Sequence, residues 1–455
     1  MGSRGSLRID QQAIGGRRGI ADGAALELEG GIAVGAEALT LNGTGIALGG
    51  ALRNISDNNS WAGTVTLGSA SSINTDSGTL TISGGITNGA NTLTVGGAGD
   101  TTIAGVIGSG AGGLTKNGAG TLTLGATNTY TGINTIQAGT ISISTDRNLG
   151  AVPGSPTPAS ITFNGAVVTL KTTAGFTLAA NRGMTLTTDG IIDTTAGILT
   201  YGGVITGGGG LTKASAGTLI LSGTNTYAGA TIISAGVINI QNASALGTDD
   251  AGTTVSATGA ALEIQGDITG VAEAIILNGT GILNAGALRN VSGANSISGA
   301  ITLASAVSIG VDAGTLTLSG AIDCADFDLT FNGAGATVFS GSVSNVNNLT
   351  VGASATVTTT SSFIIPGIFT VNSGGSFSAS SGTITMNDGS STVNSGGTII
   401  FYNLTMALLA RSTRPRYLSL GYAIALYLRS QRPSSLIFLP ILPAFLPGLF
   451  RTAPS

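Results

Sequence analysis

Histidine is absent from all 455 residues. That absence excludes Ser/His/Asp catalysis and any zinc site built on imidazole. Cysteine occurs once, at Cys324, so no internal disulfide can form. A reducing compartment accounts for this, and so does export of an unfolded chain that a crosslink would obstruct. With no imidazole to activate it, Cys324 is expected to be a small buried side chain rather than a nucleophile. Aromatic residues make up 4%, too few for large cores built on Trp, Tyr and Phe. Charged residues make up 8%, against about 25% in an average chain. They are unevenly spread, with a net +3 over residues 1–18, −13 over 19–405 and +6 over 406–455. The body is mildly acidic and lacks clustered Lys and Arg, which argues against nucleic-acid binding.

Glycine is abundant, at 75 residues, about twice the usual share. Hydrophobic residues reach 42%, carried by Ala, Ile, Leu and Val. That richness in β-branched residues, with so little charge, is the opposite of a disordered composition. The apolar residues are arranged in repeats. Gly113 to Ile143 reads GLTKNGAGTLTLGATNTYTGINTIQAGTISI, and Gly210 to Ile240 reads GLTKASAGTLILSGTNTYAGATIISAGVINI, with 19 of 31 positions identical. Leucine and isoleucine alternate with polar residues, as at Leu122, Leu124, Ile141 and Ile143. Alternation of period two predicts strands, and the glycines and TNTY corners predict tight turns.

A longer repeat runs without gaps from Gly23–Gly105 onto Gly259–Gly341. It carries LNGTG at Leu41 and Leu277 and ALRN at Ala51 and Ala287. VNSGG recurs at Val371 and Val393, a spacing of 22. A turn of a parallel β-helix commonly takes about that many residues. Residues 5–405 would then form about 18 rungs, on the order of 85 Å long at roughly 4.8 Å per rung. The chain also starts inside the pattern, since GSLRI at Gly5 parallels GVINI at Gly236, so residues 1–22 are read as the truncated end of a repeat in a longer protein. AVPGSPTPAS, from Ala151, is read as a loop because proline cannot donate to a central ladder. The division expected is 23–341 for the main helix, 342–405 for further rungs and 406–455 for an irregular tail. That tail holds six of the ten prolines and two of the 75 glycines. Prolines interrupt its apolar run SLIFLPILPAFLPGLF, so a shifted reading frame is preferred over a membrane anchor.

In a parallel β-helix the alternation places Leu122 and Leu124 inside and Thr121 and Thr123 outside. Each buried Leu or Ile contributes about 1.5–3 kcal/mol. Like charges repeated at one position would stand about 5 Å apart on successive turns and repel, so Thr, Ser and Asn are favoured outside. Candidate sites are weak on this reading. GSGAGG at Gly108–Gly113 has dinucleotide-loop spacing but precedes a strand rather than a helix, so it is read as a glycine corner. GGAGD at Gly96–Asp100 is one residue short of a calcium-roll repeat, and Ala336 replaces Asp100 in the second copy. Asp323, Asp326 and Asp328 form the densest acidic cluster, but Thr87, Ala90 and Thr92 occupy those places in the first copy. They are read as solvated turn residues. Lys116 and Lys213 share one repeat position, which suggests a structural or solubilising role, and Lys171 stands apart. The pairs Thr64/Thr66, Thr79/Thr81, Thr92/Thr94, Thr121/Thr123 and Thr315/Thr317 would bind ice or carbohydrate only if they formed a flat row. No catalytic, cofactor-binding or metal-binding residue is expected.

The motifs G-L-T-K, G-T-L-x-L, N-T-Y-x-G and A-G-x-I-x-I, present in both copies, resemble the autotransporter-associated β-strand repeat, also called the passenger-associated transport repeat. The resemblance implies a right-handed parallel β-helix passenger that is carried across a Gram-negative outer membrane and displayed outside. It implies no catalytic residues. The expectation is a non-enzymatic stalk or adhesin scaffold, whose partners are glycans or proteins met at the surface. Its outer-membrane translocator would be encoded elsewhere or missing, because the chain shows neither a signal peptide nor a C-terminal barrel. The alternatives are a polysaccharide-processing β-helix enzyme and a threonine-array binder. Carboxylates with a nearby Arg or Lys on one face of adjacent rungs would favour the enzyme.

Overall fold

Alternation decides the strands. In Thr121–Leu124 and Thr218–Leu221 the leucines point inward and the residues between them outward, as the pattern predicts. A computed structural model describes residues 6–9, 18–195, 197–387 and 391–406. Within them the chain is a right-handed parallel β-helix of about 18 turns. Its strands pair in parallel throughout, and three short 3-10 turns are the only helical elements among the described residues. The readings made for the segment beyond Met406 lie outside the described residues.

Two long sheets carry the first half. A 13-stranded sheet runs from Ser6–Ile9 to Ile205–Thr206, and a 15-stranded sheet from Ala33–Val34 to Val343–Ser344. An 11-stranded sheet takes over from Phe176–Leu178 to Thr392–Ser395, joined later by sheets of six and three strands. Turn length follows from the pairing. Thr101 stands opposite Leu80, Leu122 opposite Thr101 and Ile141 opposite Leu122, so these four residues hold one position on successive turns. The next turn, Ile141 to Leu170, is longer, because it holds the 3-10 turn Asp146–Leu149 and the proline loop. The offset between the two copies of the short repeat is therefore not a whole number of turns. Thr121–Leu124 lies in the 15-stranded sheet, whereas its counterpart Thr218–Leu221 lies in the 11-stranded one. The two copies are built alike but face different ways.

One apolar stack fills the interior from Ile20 to Ile399. Cys324 belongs to it, fully buried, and burial pushes its thiol up to about 12. It is a small buried side chain, as expected. Two details of the sequence reading need correcting. Val371 does not pair with Val393; Phe369 does, so the VNSGG spacing falls short of the turn and the two motifs are out of register by two positions. An even shift keeps the same side chains facing in, so the fold tolerates it. The proline loop also ends sooner than its composition suggests. Pro158 lies inside the strand Thr157–Phe163, at a register shift where the pairing skips from Thr157 to Ile161. A bulge needs no donor there, which is how the strand admits proline.

Glycine is obligatory at one corner of each transport-type repeat. Gly139 and Gly236 both have φ +68°, and a Cβ on either would lie 2.3–2.4 Å from the carbonyl oxygen of Gly118 or Gly217 on the preceding turn. Gly139→Val is expected to cost about 1–3 kcal/mol in backbone strain alone. The loss should appear in hydrogen exchange as reduced protection of Thr121–Leu124 and Gly139–Ile143, with distant turns unaffected.

Candidate functional site

The shared spacing of the two copies builds the same polar cluster twice inside an apolar stack. Lys116 stands in an inward column between Val95 and Ile136, and Lys213 between Ile192 and Ile233. They are 1% and 0% exposed, which removes the solubilising role and leaves the structural one. Each stem packs in the stack while its ammonium caps main-chain carbonyls at a corner. Lys116 Nζ donates to Gly118 and, at 3.5 Å, to Ala138 on the next turn. Lys213 Nζ donates to Ala214 and Ser215 at 2.7 Å and to Ala235 at 3.2 Å. Burial lowers both ammonium groups to about 8, opposed by Asp100 near Lys116 and by Asp193 near Lys213.

The TNTY corner holds a second tie. Asn128 accepts the Ile107 N–H at 2.8 Å and donates to the Asn148 carbonyl at 2.6 Å, so one side chain joins three successive turns. Asn225 repeats this with Ile205 at 2.9 Å and Ala245 at 2.6 Å. Tyr130 donates to Asn134, and the Tyr227 hydroxyl pairs with Thr231, both at 2.6 Å. Burial raises both phenols far above their ordinary range. The first copy adds Arg182, 1% exposed, whose guanidinium meets Asp146 at 2.8 Å and the carbonyls of Leu149 and Gly150.

The longer repeat builds ion ties across turns. Arg53 reaches Glu27 at 3.5 Å and Asp76 at 2.6 Å on the flanking turns. Arg289 reaches Glu263 at 2.8 Å and also Asp312. Both arginines are raised by their carboxylate partners, Asp76 and Asp312 first. Below them lie paired buried asparagines, Asn59 donating to Asn54 at 2.5 Å and Asn295 to Asn290. Sequence reasoning missed these groups. Their signal was present, because Glu27, Arg53 and Asp76 recur in a chain that has almost no charge to spare.

The other candidates resolve as structure. Gly108–Gly113 forms a corner followed by the strand Leu114–Lys116. Asp100 accepts the Thr121 N–H of the next turn at 2.8 Å. Asp323 and Asp328 are half-exposed and accept hydrogen bonds from Asn345, and from Asn347 and Asn348, while Asp326 is exposed. The Ala325 N–H and the Asn345 amide hold Asp323 below the usual carboxylate range. Among the described residues no group of three His, Cys, Asp or Glu is placed to hold a metal. The T-x-T pairs do not form one row. Thr79/Thr81 and Thr121/Thr123 share the 15-stranded sheet with Asp100 between them, and Thr315/Thr317 lies in the six-stranded sheet. A single file does exist on the 13-stranded sheet, running Thr94, Thr115, Thr135, Thr162, Thr185 and Thr206 on successive turns.

Asn128→Ala removes a donor and an acceptor at once and leaves the Ile107 N–H and the Asn148 carbonyl buried without that partner. Each such orphan costs about 1–3 kcal/mol. Amide exchange at Ile107 should accelerate at least tenfold, and an unchanged rate would show that water or the backbone replaces the tie.

Comparison with curated proteins finds no match, and neither does comparison with solved structures. A family comparison does match, at residues 114–143 and 211–240, which are the two segments that carry the buried lysine, the three-turn asparagine and the left-handed glycine. This chain carries two copies of the passenger-associated-transport-repeat, set within one continuous parallel β-helix.

Proposed function

We propose that this chain is a non-catalytic structural section of an exported, autotransporter-like passenger, serving as a stalk or adhesin scaffold at the surface of a Gram-negative bacterium. The observation that carries the reading is the pair of transport repeats embedded in an unbroken solenoid. The fate of its charged groups supports it: Lys116, Lys213, Arg53, Arg182 and Arg289 are each engaged in ties between turns. Binding would fall to exposed Thr, Ser and Asn on the sheets, with surface glycans or proteins as partners. An outer-membrane translocator would carry the passenger across. The test places the chain between a signal peptide and a translocator barrel in a Gram-negative host. External protease should then degrade it on intact cells. Retention of a protease-protected chain in the periplasm would contradict the reading.

One observation favours a second reading, a polysaccharide-processing enzyme. Glu263, Arg289 and Asp312 stand on one face of adjacent turns, which is the arrangement that reading requires. It ranks lower because the arginine lies between the carboxylates and pairs with both, whereas a glycosidase needs two carboxyl groups flanking the sugar bond. On this reading the protein would cleave a polysaccharide, and Arg289→Met would abolish the cleavage. Absence of turnover on a panel of acidic and neutral polysaccharides removes it.

A further inference from the structure

Three ionisable side chains are shut inside the solenoid without a counter-ion, between the turns of Val95 and Ile275. Lys116 and Lys213 have apolar neighbours above and below, and only main-chain carbonyls at their ammonium groups. Among the described residues, no carboxylate lies within ion-pair distance of either. Asp100 faces Lys116 at longer range, and Asp193 faces Lys213 while standing opposite Lys171 on the neighbouring turn. The third group is Glu273, 5% exposed, which accepts one hydrogen bond, from the Thr253 hydroxyl at 3.0 Å. Asp249 and the buried Tyr227 are the titratable groups that face it.

We propose that this section of the solenoid is a pH-sensitive element, least stable near neutral pH and tightened by both acid and alkali. An enclosed charge lacks the hydration it has in the unfolded chain, so each group resists ionisation once folded. Glu273 is pushed up to about 7 by burial, from 4.5. Between pH 4.5 and 7 the folded chain therefore keeps a proton that the unfolded chain has lost, and stability falls as pH rises. The lysines are lowered from 10.5 to about 8. Between pH 8 and 10.5 the unfolded chain binds more protons than the folded one, so stability rises with pH. From pH 7 to 8 all three groups are charged at their greatest cost. The alkaline gain is bounded above, because burial raises Cys324 and the hydroxyls of Tyr130, Tyr201 and Tyr227, and their contribution is lost as they ionise on unfolding.

Proton exchange on urea unfolding of the full chain in weak buffer tests this. At pH 6, unfolding should release about one proton from Glu273, and Glu273→Gln should abolish the release. At pH 9 the wild-type chain should take up about two more protons on unfolding than Lys116→Met/Lys213→Met. Release or uptake that the substitutions leave unchanged overturns the proposal. Should a variant not fold, the wild-type chain alone decides: a minimum in Tm between pH 7 and 8 supports the element, and a maximum there refutes it.

Discussion

The parallel ladder between successive turns is the constraint on which everything else rests. Each strand residue stands about 4.8 Å from one neighbour above and another below in the same orientation. A side chain therefore meets a column rather than a varied surrounding. Apolar columns such as Leu122, Ile141, Leu170 and Ile192 gain burial at every turn. Charged columns would repel at every turn, which is why the chain carries so little charge. Where charge is kept, signs alternate along the axis, as in Glu27–Arg53–Asp76 and Glu263–Arg289–Asp312.

The same constraint explains the transport repeat. A buried polar side chain in a column is costly unless it finds partners on its own turn or the next. Asn128 and Asn225 find them on the turns before and after, while Lys116 and Lys213 find corner carbonyls. Such groups are satisfied in one stacking register only, so they specify how the turns dock. In both copies their cost is accepted inside the stack, which fits the structural role proposed for this segment.

The fold was largely legible in the sequence, because inward–outward alternation and glycine spacing are local signals. GTLTL showed which leucines face in, and the absence of histidine ruled out whole classes of chemistry. Contacts between turns were not legible. That Lys116 is buried depends on the carbonyls of Gly118 and Ala138, and Ala138 lies a turn away. The partners of Asp323 and Asp328 are asparagines on the following turn. VNSGG misled because its period is a property of composition, whereas the turn there runs from Phe369 to Val393 and outlasts it. Repeat spacing reports turn length only where the inserted corner residues are constant.

Register between turns is thus the central claim, and paired spin labels read it directly. Thr102 and Thr123 stand opposite each other on adjacent turns, both facing outward. Nitroxides at Thr102→Cys and Thr123→Cys, introduced in a Cys324→Ser background, should give a continuous-wave spectrum strongly broadened by spin–spin coupling. A spectrum equal to the sum of the two single-label spectra would mean that these turns do not stack, and would contradict the solenoid.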